Sequence, residues 1–96
     1  MPIEWTTLAQ HGLRVIHAHI AQDDREAAVR VVCTIYTGAR AQLTTYPLSG
    51  REGRVTGTRE LIIPRLPYIV AYRIHKDAIQ VLRILHTTLR WPHALS

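Results

Sequence analysis

Residues 28–46 carry an apolar stripe that only a long helix can use, and the residues after it carry a pattern that only strands can use. Ala28, Val32, Ile35, Ala39, Leu43 and Tyr46 recur at spacings of three and four. That spacing places them on one face of a helix of about 22 residues, ending at Pro47. Arg59 to Ile63, Tyr68 to Ile74 and Ile79 to His86 are instead short runs, the second of them rich in β-branched and aromatic residues, which strands favour. Helices first and strands after predict an α+β chain with its helices on one sheet face.

The remaining elements follow from local signals. Ile3 to Thr6 can form a short first strand. Thr6 or Thr7 can cap a helix with a side-chain oxygen. Leu13, Ile16 and Ile20 then share a helical face, although Gly12 inside that helix costs about 1 kcal/mol relative to Ala. Asp23-Asp24 breaks the first helix and caps the second, predicting an antiparallel helical hairpin. Gly38 weakens the second helix, with no reason visible in the sequence. Pro47 to Gly57, rich in Gly, Ser and Pro, reads as loop. His75-Lys76-Asp77-Ala78 reads as a tight turn joining two antiparallel strands. No repeat or linker divides the chain, so 1–96 is expected to be one domain.

Period-two alternation assigns faces. Arg73 shares a face with Ile69 and Ala71. Arg83 is expected beside Val81 and Leu85, opposite Leu82, Ile84 and His86. Tyr72 is expected in the core with Tyr68 and Val70.

Charge is the most informative bulk property. The chain has a net charge of +5. Residues 1–50 balance four Arg against four acids, whereas residues 51–96 hold seven Arg and Lys76 against Glu52, Glu60 and Asp77. A basic half suggests an anionic partner, either nucleic acid or an acidic protein segment, and Arg suits phosphate and carboxylate. No run reaches the roughly 20 apolar residues of a membrane span. The start, Met1-Pro2-Ile3-Glu4-Trp5, is unlike a signal peptide. A cytoplasmic protein with no membrane partner is expected. Cys33 alone allows no internal disulfide, and its apolar helical setting predicts a buried packing thiol.

The second half reads Gly57-Thr58-Arg59-Glu60-Leu61-Ile62-Ile63-Pro64, then Pro67-Tyr68-Ile69-Val70-Ala71-Tyr72-Arg73-Ile74. It continues Ile79-Gln80-Val81-Leu82-Arg83-Ile84-Leu85-His86 and closes with Arg90-Trp91-Pro92. In order and spacing these segments resemble the RelE/ParE superfamily of toxins from type II toxin–antitoxin systems, and the helical half is similar too. The resemblance implies two N-terminal helices on a small antiparallel sheet of about four strands. It implies an antitoxin partner whose acidic C-terminal segment wraps the toxin. It leaves the target open between DNA gyrase, poisoned by ParE-like members, and messenger RNA on the ribosome, cut by RelE-like members.

RNA cleavage would need a proton-transfer group near neutral pH and cations for the phosphate charge. Arg73, Arg83 and His86 are the candidates for that chemistry, and Arg73 matches the superfamily's Tyr-Arg arginine. No cofactor or metal is expected. His17 and His19 lie two apart on the first helix and do not face each other. Arg51, Arg54, Arg59, Arg65, Arg73 and Arg83 are the candidates for binding target or antitoxin, with Arg51, Arg54 and Arg59 forming a basic lip around the glycine-rich loop. His86 has a second reading, as a residue that bonds backbone and orders the tail, and Trp91-Pro92 is expected to anchor that tail. RNA-cleaving relatives typically carry several lysines in the mid-chain loop, whereas this chain has only Lys76, in a turn. Its Arg83-Ile84-Leu85-His86 ending resembles ParE. The sequence therefore favours a gyrase poison over a ribonuclease.

Overall fold

Thr6 and Asp24 set the two helices. Thr6 is extended, and its Oγ1 accepts the Ala9 N–H at 3.1 Å, satisfying one of the donors that a helix start leaves orphaned. It opens α1 (Thr7–Ala21). The Asp24 carboxylate accepts the Ala27 N–H at 3.0 Å and opens α2 (Arg25–Thr45). The computed structural model describes residues 1–88, so the Arg90-Trp91-Pro92 ending and its anchoring role lie outside the described residues.

The α2 stripe is largely as its spacing predicts: Ala28, Ile35, Ala39 and Leu43 are fully buried and Val32 packs beside them. Two expectations fail. Tyr46 is 62% exposed, because the helix ends at Thr45 and the next residue leaves helical geometry with φ −130°. Cys33 is exposed rather than buried. It lies between the stripe positions 32 and 35, where the 100° step per residue turns it away from the core.

The strands are β1 (Ile3–Trp5), β2 (Arg51–Glu52), β3 (Arg59–Ile62), β4 (Tyr68–His75) and β5 (Ala78–His86), in the order β1-β5-β4-β3-β2. The sheet thus has five strands and is mixed, where about four antiparallel strands were expected. β1 runs parallel to β5, pairing Ile3 with Ile79 and Trp5 with Val81. β2 lies in the segment read as loop, and two residues are too few to show a period. The β4–β5 turn is as expected. Lys76 and Asp77 both have positive φ, as a two-residue hairpin turn matching strand twist requires.

The hairpin of helices covers one sheet face. Val70, Tyr72, Ile79, Val81 and Ile84 meet Ile16, Ile35, Ala39 and Leu43 there. Each Val, Leu or Ile among them contributes about 1.5–3 kcal/mol on full burial. α1 runs close over β5, so that a Cβ at Gly12 would stand 3.5 Å from Ile84. No helix among the described residues is long and apolar enough to cross a membrane.

The registers of β4 and β5 contain one irregularity. Ala71 pairs with Arg83 and Tyr72 with Val81, leaving Leu82 as an extra residue between them. This is a β-bulge, and it breaks the period-two rule. Val81 faces the helices, whereas Leu82, Arg83 and Leu85 belong to the opposite face. The expected grouping of Arg83 with Val81, opposite Leu82, is therefore corrected.

Candidate functional site on the open sheet face

The sheet face that no helix covers carries a small second apolar cluster, Ala71, Leu82 and Leu85, which is itself buried at 0–5% exposure with Val55 against it. Arg73 and Arg83 stand beside it, both part-exposed. Arg83 is opposite Ala71 and Arg73 is two residues further along β4, making the two arginines diagonal neighbours across the hairpin. Arg73 Nε donates to Gln80 Oε1 at 2.7 Å, which fixes the guanidinium while leaving its other nitrogens for an acceptor.

β3 contributes the organising acid. Glu60 is opposite Ala71 and only 2% exposed. One carboxylate oxygen accepts from Arg51 Nε at 3.2 Å and Nη2 at 2.9 Å, and the other accepts the Arg54 backbone N–H at 2.8 Å. Arg54 Nε lies 3.8 Å from the second oxygen. The Arg51 and Arg54 side chains remain about half exposed, at 52% and 49%. A buried carboxylate with several donors thus holds two arginines at the rim of the open face. Among the described residues, Glu60 pairs with Arg51 and Arg54 and not with Arg73 or Arg83.

The other candidates divide. Arg59 turns to the helix side and donates from Nη1 to the Leu48 and Gly50 carbonyls at 3.2 and 2.8 Å. It holds the loop rather than joining Arg51 and Arg54 in a lip. Arg65 is exposed in the turn after β3, with φ 66°. His86 is opposite Tyr68 on the helix side, with the two rings edge-on at 5.4 Å. Its Nδ1 accepts the Thr88 N–H at 3.1 Å, in keeping with the backbone-bonding reading. It borders a groove with Val15, Ile16 and His19. The register makes Arg73 and Arg83 neighbours and places His86 on the opposite face from Arg73, although Arg83 and His86 both border a groove with Leu8 and Val15. Among the described residues, no three His, Cys, Asp or Glu side chains converge on a possible metal position.

Tyr72, expected in the core, is there and does more. Its hydroxyl donates to the Pro47 carbonyl at 2.8 Å and accepts the Gly50 N–H at 2.9 Å. Tyr72, Glu60 and Arg59 thereby fix the segment from Pro47 to Arg54. Burial raises the Tyr72 pKa, opposed by the Gly50 hydrogen bond and the Arg59 charge. An acid whose folded pKa is raised contributes stability below its unfolded pKa and loses it as pH rises through the folded value. At neutral pH, Tyr72→Phe should cost about 1–2 kcal/mol by orphaning buried groups. Above about pH 10 the gap from wild type should narrow, since Phe has no proton to lose. Urea titrations at pH 7 and pH 10.5 check this, and a constant gap would contradict it.

Two helices over one face of a five-stranded sheet, with arginines on the face that no helix covers, define a small α+β protein. A sequence model described as "ParE toxin of type II toxin-antitoxin system, parDE" matches residues 3–91, and the chain belongs to that family. It is 45% identical over 93 residues to a proposed toxin, Y4kP, of Sinorhizobium fredii, spanning 97% of this chain and 95% of that one. Among solved structures it is similar to a chain of the chromosomal ParDE toxin–antitoxin system of Pseudomonas aeruginosa. The TM-score there is 0.83 at 29% identity, covering 90% of this chain and 95% of that one. It also shares its fold with a chain of the RelBE2 toxin–antitoxin complex of Mycobacterium tuberculosis, with TM-score 0.65, 23% identity, and coverage of 88% and 95%. The protein is a type II toxin closer to ParE than to RelE.

Proposed function

We propose that this toxin arrests growth in the cytoplasm by binding and poisoning DNA gyrase, without chemistry of its own, and that a cognate antitoxin with an acidic C-terminal segment neutralises it. The observation that carries the reading is the separation of Arg73 from His86, on opposite sheet faces. An RNA cutter needs a proton-transfer group within hydrogen-bond reach of the reacting phosphate. On the open face the side chain that touches Arg73 is Gln80, an amide, and the nearby buried acid, Glu60, is committed to Arg51 and Arg54. Part-exposed cations suit a protein partner, because Arg73 and Arg83 can steer an acidic surface. Membership of the ParE family supports the same choice.

The test sets two assays side by side with the purified toxin. Supercoiling by gyrase should fall at micromolar toxin, while messenger RNA on translating ribosomes should stay intact. Uninhibited supercoiling, or cleaved messenger RNA, would reject the gyrase reading and favour ribosome-dependent cleavage using Arg73 and Arg83.

A further inference from the structure

Thr6 has a second set of bonds that its role as a helix cap does not require. Besides accepting the Ala9 N–H, its Oγ1 donates to the carbonyl of Leu82 at 3.0 Å, and its backbone N–H donates to the Val81 carbonyl at 3.1 Å. Leu82 is the extra residue of the β5 bulge. A bulge leaves its extra residue outside the regular ladder, and an unpaired carbonyl in a part-buried place costs about 1–3 kcal/mol. Thr6 supplies the missing donor.

The consequence reaches Arg83. Without the extra residue, strict alternation after Val81 would put Leu82 on the open face and Arg83 on the helix side. The bulge sets both Leu82 and Arg83 on the open face and restores Ile84 to the core. We propose that Thr6 is a positioning residue: its hydroxyl clamps the bulge at Leu82 and so holds Arg83 beside Arg73 on the binding face. That binding role for the open face rests on the function proposed above, whereas the clamp itself does not.

One hydroxyl does two things here, and substitution separates them. Thr6→Asp keeps a good capping acceptor but an ionised carboxylate has no proton for the Leu82 carbonyl. Thr6→Ser keeps both. Arg83→Gln serves as the reference for loss of the arginine. In the full-length chain, Thr6→Asp should retain wild-type helical circular dichroism. It should lose the Ala71–Arg83 cross-strand contact and the slowed exchange of the Arg83 amide in NMR spectra. Growth arrest should then require at least tenfold more inducer, as with Arg83→Gln, while Thr6→Ser stays within about twofold of wild type on every measure. The clamp is overturned if Thr6→Asp keeps the Ala71–Arg83 contact, or if it stays as toxic as wild type while Arg83→Gln does not. If Thr6→Asp loses its helical signal, Thr6→Asn, which offers both acceptor and donor, must restore contact and toxicity together; failure to do so also overturns it. If Arg83→Gln is fully toxic, the open-face reading fails, and the NMR contact alone decides the clamp.

Discussion

Gly50→Ala is expected to destabilise this protein by about 2–4 kcal/mol, a steric cost plus a lost hydrogen bond. A Cβ at position 50 would stand 2.6 Å from both Cε1 and the hydroxyl oxygen of Tyr72, and 3.0 Å from the Glu60 carbonyl. Tyr72 is fully buried and cannot swing aside without opening the core beneath α2. Relief must come from the backbone of the Pro47–Arg54 segment, which breaks the Gly50 N–H bond to Tyr72 and disturbs the approach of Arg51 to Glu60. Gly38→Ala is the contrast. It lies in the middle of α2 with open space where the methyl would go, and should gain about 0.5–1 kcal/mol by restricting the unfolded chain. Urea unfolding of the two variants checks both signs. A neutral Gly50→Ala would mean that Tyr72 and the loop are not locked as described.

Replacing Arg73 and Arg83 together by Gln is expected to weaken target binding by about a hundred- to a thousandfold, from about 1.5–2 kcal/mol for each lost charge-assisted contact. The fold should hardly notice, because both side chains are part-exposed and neither enters a buried ion pair among the described residues. The toxin concentration that halves gyrase supercoiling, measured beside the unfolding midpoint, separates the two effects. Affinity lost with stability retained is the expected result. Retained inhibition would remove the open face from the target site. Arg59→Gln should behave in reverse, since that side chain bonds the Leu48 and Gly50 carbonyls and acts on the loop.

Much of this molecule was legible residue by residue. The caps at Thr6 and Asp24, the α2 stripe and the Lys76-Asp77 turn all act over a few residues, where sequence and local physics coincide. The face of Arg73 followed from alternation and held. The face of Arg83 did not, because a bulge is an agreement between two strands and a third segment, and nothing in Val81-Leu82-Arg83 announces it. Glu60 was visible as an acid in an apolar strand, but its choice of Arg51 and Arg54 depended on β2, a strand too short to read.

The sequence by itself determined the class of fold, the toxin family and the concentration of positive charge in the second half, because periodicity, motif order and composition are properties of the chain. The tertiary structure decided which charges share a surface. The bulge at Leu82 set Arg83 beside Arg73, the buried Glu60 carboxylate drew Arg51 and Arg54 to the same rim, and strand pairing sent His86 and Arg59 to the other side. Those outcomes depend on contacts between residues up to 76 positions apart, as between Thr6 and Leu82, and only the packed chain brings them within hydrogen-bond range.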